Sequence, residues 1–437
     1  MTALDREASH PGYYPSPWPV ECAGNRRQKH ARGRLDAAAR TPRVVTARND
    51  RWNVMVVRRD PGEWFIAGTM PAFVGDPPHG WVARVDPETL AFVAESPRLP
   101  CGDHVWCGAV AVHANGSLYN VNGNFVHRLG PALDVQAEVR LPVDGAHNGL
   151  LVLADGTIVT KDLRLGGQGP STFTRLTPEL ELVHAPLELP EPSMGRIAAD
   201  LTAEGEAIYV PGETRLFRLW VEADDLRLDL DWQPEYRAAA GPQGMAWDTC
   251  LSAGRAWFLD NGDLTPVRTI FDSHPNGRVA SESAKRLTWQ QPAPWSGAQR
   301  LVTVDLATGE VRSVAPFGTP GGGVMAPPVH VPGAGVTVCW DTVNGGMAAV
   351  DDTTLEVRWR NDIRPTMQPV VFADSGEVVI NDFTGHDEVV VLDAATGEVV
   401  SRVDVQSPLA NGMFLTAGDD HDVWYVSTLA VARIAWE

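Results

Sequence analysis

No run of about 18 consecutive apolar residues occurs in the 437-residue chain, so a membrane-spanning helix is not expected. Positive charge is scarce: 36 Lys+Arg stand against 55 Asp+Glu, a formal net charge of −19. Nucleic acid and anionic membrane both need a basic face, so neither is expected as a partner. Cysteine is sparse too. The five, Cys22, Cys101, Cys107, Cys250 and Cys339, are odd in number and scattered. They read as free thiols in a reducing compartment, and a cytoplasmic location is the expectation. The opening MTALDREASHPGYY lacks the apolar core of a secretion signal. Cys101-x2-His104-x2-Cys107 is half a zinc pattern without its second half, which favours buried thiols. Long helical periodicity is nearly absent, as are Walker, Rossmann, G-x-S-x-G and H-E-x-x-H motifs.

What the chain has instead is repetition. RVDPETLAFV from Arg84, TVDLATGEVR from Thr303, AVDDTTLEVR from Ala349 and VLDAATGEVV from Val391 share one pattern of strand, tight turn and returning strand. Asp86, Asp305, Asp351 and Asp393 are placed to accept backbone amides in those turns, which makes them turn-formers and not catalysts. A second unit pairs two apolar strands across a turn rich in Asp, Gly or Asn. It occurs eight times, from VMVVRRDPGEWFIAGT to FLTAGDDHDVWYVS. Short strands, frequent turns and a period in the forties predict an all-β propeller of four-stranded blades around a channel. The count is eight blades, with seven as the runner-up. The last unit offers three strands, so PRVVTAR (42–48) is expected to supply the fourth and close the ring. This divides the chain into an N-terminal arm (1–41) and one propeller domain (42–437). A long insertion at 264–298 carries a local excess of basic residues.

The V-D-x-x-T-G-x-V hairpins resemble the repeats of quinoprotein-like propellers. AVDDTTLEVRW (349–359) is similar to their tryptophan-docking pattern, with Leu355 in place of its glycine. The resemblance implies the fold and an outer Trp that staples neighbouring blades. The vicinal Cys-Cys pair usual in quinone-dependent members is missing, so a quinone is not expected. The inner-strand entries His147-Asn148-Gly149, Pro242-Gln243-Gly244 and Ala410-Asn411-Gly412 resemble those of the strictosidine synthase, gluconolactonase and senescence-marker-protein group. That resemblance implies a divalent ion on the axis, with Asn148 and Asn411 among its ligands. Gln243 stands where that group has Asp. The cofactor expectation is therefore none, or a divalent cation such as calcium, which wants oxygen ligands.

In a propeller the innermost strands start at one channel mouth, where side chains distant in sequence converge. Those starts nominate His104, His147 and Arg196 as catalytic groups: two histidines for proton transfer and an arginine to anchor a carboxylate or oxyanion. Asn53, Trp106, Asn148, Gln243, Met245, Met325, Gln368 and Asn411 are nominated as substrate-binding. The bland alternative is that these side chains plug the channel and satisfy backbone groups. His330, alternating with apolar neighbours in PPVHVPG, reads as a satisfied strand histidine. The functional expectation is an enzyme acting on a small organic molecule at the mouth by His-assisted proton transfer, of hydrolase, lyase, isomerase or cyclase type. The alternatives are a binding propeller, holding a protein through rim loops or the insertion, and a metal-dependent lactonase-like hydrolase.

Overall fold

The computed structural model describes residues 10–71, 76–164, 169–238, 243–262, 297–366, 368–408 and 412–437. The insertion expected at 264–298 falls outside these except for its last two residues.

The period-2 segments form antiparallel meanders. Cys107–Val112, Leu118–Asn122, Phe125–Leu129 and Val135–Arg140 pair in chain order into one sheet. The innermost strand is buried at all six positions, because neighbouring sheets press on both its faces. The outermost strand is half-buried or exposed at every position, and its sequence is accordingly mixed. Four further sheets repeat this four-stranded order, and a fifth adds one arm strand to it.

The count of eight separate blades is corrected to seven sheets among the described residues. All eight inner hairpins form, but the first and last are joined in one six-stranded sheet. Two long strands, Pro42–Arg58 and Asp422–Trp436, carry the join. Residues 42–48 pair antiparallel with 430–436, and residues 52–58 pair with 64–69. Counting hairpins in a sequence cannot detect such a join, since it depends on hydrogen bonds between the two chain ends.

The turn aspartates act as the pattern predicts. Asp86 Oδ1 accepts the Glu88 and Thr89 amides at 3.0 and 2.8 Å, and Asp305, Asp351 and Asp393 repeat the arrangement. The following turn position takes positive φ each time: Leu90 58°, Gly309 76°, Leu355 63° and Gly397 76°. Leu355 therefore occupies a backbone setting that favours glycine, and it buries its side chain in the core in return. Trp359 Nε1 donates to the Ala394 carbonyl at 2.9 Å, which staples one sheet to the next.

The arm runs across the far ends of the inner strands. Its backbone exchanges hydrogen bonds with Arg58, Val112, Ala199, Leu251 and Val371, one inner strand end after another. His30–Ala31 then adds in parallel to Val370–Phe372. Between these contacts the chain turns into the channel.

Candidate functional site

The arm delivers Glu21, Cys22 and Arg27 to the axis, all buried. The inner-strand side supplies Arg196, Asp248 and Gln368. Arg27 donates to Glu21 at 2.8 Å and to Asp248 at 3.1 Å. Arg196 lies 3.1 Å from Glu21 and 3.5 Å from Asp248, and its amide donates to Asp248 at 2.6 Å. The Gln368 side-chain amide links the two halves: Nε2 donates to Asp248 at 3.3 Å, and Oε1 accepts the Cys22 thiol at 2.8 Å. Two carboxylates thus face two guanidiniums, so the charges balance where water is excluded. Inspection of strand starts missed both carboxylates. Asp248 escaped because the fifth inner strand begins at Cys250 and not at Met245. Glu21 escaped because nothing in a Pro- and Arg-rich arm signals insertion into a channel.

Arg196 is held in a second way. Its guanidinium carbon lies 5.8 Å from the Trp106 ring centroid and 5.2 Å from that of Phe414. Its Nη2 makes no hydrogen bond among the described residues. Gly149 explains the closeness of the neighbouring chain: at φ 81°, an added Cβ would lie 3.2 Å from Arg196 Cβ. The tripeptide His147-Asn148-Gly149 is therefore shaped around this arginine. Asn148 Oδ1 accepts the Trp106 indole N–H at 3.0 Å, and its Nδ2 donates to the Met194 carbonyl at 3.3 Å.

The two nominated histidines differ. His104 Nε2 contacts Asp144 Oδ1 at 3.1 Å, and Asn124 donates to the same oxygen at 2.9 Å. The His104 contact holds the Asp144 carboxyl below its ordinary pKa. The carboxylate fixes Nε2–H and leaves Nδ1 as the basic nitrogen. His147 is fully buried, and its Nδ1 faces the Gly145 carbonyl at 3.0 Å. Burial pushes its pKa down to about 4, so it is neutral and weakly basic. Nearby Lys161, also unanticipated, is pulled down to about 8 by burial.

The remaining nominees are spread out. Met325 and Gln243 are half-buried, and Met245 is buried. Gln243 Nε2 reaches the Ala298 carbonyl at 3.5 Å. Asn53 is spent on the seam, donating to the Ser427 carbonyl at 2.8 Å. Asn411 lies outside the described residues. Among the described residues, no three His, Cys, Asp or Glu side chains gather as a metal site would need. Nor is any described helix long and apolar enough to cross a membrane.

No protein-family model matches the chain, and no curated protein does. Solved structures do. A quinohemoprotein alcohol dehydrogenase from Pseudomonas putida HK5 aligns with a TM-score of 0.62 at 12% identity, over 99% of this chain and 81% of its own. A europium-containing methanol dehydrogenase gives 0.61 at 9% identity, over 97% and 90%. BamB from Moraxella catarrhalis gives 0.55 at 14% identity, over 91% and 98%. These proteins differ in function, so at such identities only the architecture transfers. The likeness bears on the quinoprotein-like resemblance and not on the strictosidine synthase one. The chain folds as an all-β propeller, the architecture that these comparisons carry over to it.

Proposed function

We propose that the protein is an enzyme acting on a small organic molecule at the axial mouth. Arg196 anchors a carbonyl or carboxylate oxygen, and the His104–Asp144 pair moves the proton. The observation that carries this reading is the Arg196 guanidinium, set between Trp106 and Phe414 with Nη2 uncommitted among the described residues. Flanking rings suit a flat, apolar ligand body, and an uncommitted N–H suits an oxygen acceptor. The oriented imidazole supplies a proton acceptor at Nδ1, the need shared by hydrolase, lyase and isomerase chemistry.

The reading is tested by thermal-shift titration with benzoate and phenylacetate. A ligand at 100 times its Kd stabilises by about 2.7 kcal/mol, which a melting curve resolves. Both acids should raise the melting temperature of wild type, and Phe414→Leu should blunt the shift. If neither acid moves wild type, the Arg196 anchor is wrong. Once a substrate is found, His104→Gln should lower kcat by about 100-fold or more with binding retained.

A further inference from the structure

A second constellation lies at the opposite end of the inner strands, away from the mouth. Ser252 closes the inner strand Cys250–Ser252, and His330 is central in the next sheet's inner strand Val329–Val331. Ser252 Oγ and His330 Nδ1 are 2.7 Å apart. The other ring nitrogen, Nε2, lies 2.8 Å from Asp352 Oδ2. Thr337 Oγ1 donates to Asp352 Oδ1 at 2.8 Å and fixes the carboxylate. Trp257 lies parallel to the imidazole at 9°, with centroids 5.9 Å apart. The carboxylate can only accept, so Nε2 carries the hydrogen and Nδ1 presents its lone pair to the serine hydroxyl. The two nitrogens exchange places relative to the serine-protease arrangement, but the proton path from oxygen to imidazole, backed by a carboxylate, is the same.

This chain opens on a cleft of about 580 Å³, walled on one side by the arm and on the other by turns of the inner hairpins. That volume suits a small molecule. Ser252, His330, His30, Arg26, Asp200 and Asp374 line it. Arg26 is paired with Asp200 at 2.5 Å. Burial holds His30 down at about 4, so it adds no charge at neutral pH. Two carboxylates against one guanidinium disfavour an anionic ligand. Ser252 also stands at a tight turn, with Ala253 at φ 52° and Gly254 at φ 71°, which sets its Oγ at the rim of the sheet.

We propose that Ser252, His330 and Asp352 form a nucleophilic acyl-transfer site for small uncharged carboxylic esters. Ser252 Oγ attacks the ester carbonyl carbon while His330 Nδ1 takes the hydroxyl proton. The tetrahedral intermediate collapses with loss of the alkoxide, which leaves as the alcohol with that proton. Water, deprotonated by the same nitrogen, then attacks the acyl-serine, releases the carboxylic acid and restores the hydroxyl. No metal, redox partner or axial residue takes part, so the site stands or falls apart from the axial reading.

The test treats the full chain with a fluorophosphonate probe and with p-nitrophenyl acetate. One equivalent of probe should attach, mapped by peptide mass spectrometry to Ser252, and p-nitrophenolate should appear in a burst of one equivalent. Ser252→Ala should abolish both at an unchanged melting temperature. His330→Gln should slow acylation by about 100-fold or more. Mapping on wild type keeps the test decisive if a variant misfolds. An adduct elsewhere, a burst unaltered in Ser252→Ala, or no adduct on folded wild type overturns the proposal and leaves Ser252–His330–Asp352 as a staple between sheets.

Discussion

Arg27 ties the arm to the channel through two buried carboxylates. It is 2% exposed and lies between Glu21 and Asp248, whose side chains are wholly buried. A buried pair contributes little net stability against an apolar replacement, because desolvation offsets attraction. Removing one partner is different, since it strands the remaining charge. With Arg27 gone, Arg196 alone faces two carboxylates. Arg27→Met is therefore expected to cost roughly 3 to 5 kcal/mol. The double variant Glu21→Gln/Arg27→Met restores the balance between Arg196 and Asp248 and should be the milder of the two. Denaturant unfolding of the two variants and of Glu21→Gln alone completes the cycle; a double variant as unstable as the two singles combined would show that the pair is not coupled.

Among the elements, the arm and the closing strand do separate work, which truncation distinguishes. Residues 42–48 pair with 430–436 along seven registered positions, and without them the ring has an open edge. Residues 10–31 line the channel and the inner strand ends, add one short parallel strand and lend Tyr13, Trp18 and Val20 to the core beneath, but close no edge of the ring. A chain starting at residue 42 keeps the seam and keeps Arg196 beside Asp248, so it should remain folded and monomeric with a lower melting temperature. A chain starting at residue 49 should aggregate or become protease-sensitive, read by gel filtration and limited proteolysis. Equal behaviour of the two would refute this division. The contrast also marks what was legible from sequence. Hairpins were, because alternation and Asp-Thr-Gly turns are local signals, and 42–48 stood out because the last unit lacked a strand. The fusion into seven sheets was not, since it rests on pairing between residues almost 400 apart in the chain. Site residues followed the same rule. His104, His147 and Arg196 were visible as polar strand starts. Asp144, Glu21 and Asp248 were not, because only folding brings them to those side chains. His330 looked like a satisfied strand histidine; its partners Ser252 and Asp352 come from 78 and 22 residues away.

At the scale of the whole molecule, burial of histidine sets the response to acid. His30, His127 and His147 sit in three different sheets or their junctions, and burial lowers each to about 4. In the unfolded chain each titrates near 6.5. Above that pH both states are neutral and the histidines cost nothing. As the pH falls below 6.5 the unfolded chain takes up three protons that the folded chain refuses, so stability falls until the folded values near 4 are reached. Each histidine contributes on the order of 1 kcal/mol per pH unit in that window. Asp422 works the other way. Burial raises it to about 6, so the folded state gains its proton first and stability rises as the pH drops from 6 towards the ordinary carboxylate range. Asp260 and Asp341, also raised by burial, oppose the histidines in the same sense. The steepest net loss is therefore expected between pH 6.5 and about 5, where the three histidines outweigh the opposing Asp422. His127 provides the check, because it lies in neither proposed site and burial outweighs its contacts, Nε2 facing the Glu138 carboxylate at 3.3 Å. His127→Leu should leave stability at pH 7.5 close to wild type and reduce the slope between pH 6.5 and 5 by roughly a half, because one of three titrating histidines is removed while Asp422 still opposes the other two. Urea unfolding at half-unit pH steps measures both quantities, and an unchanged slope would mean that His127 does not titrate differently in the folded and unfolded chains.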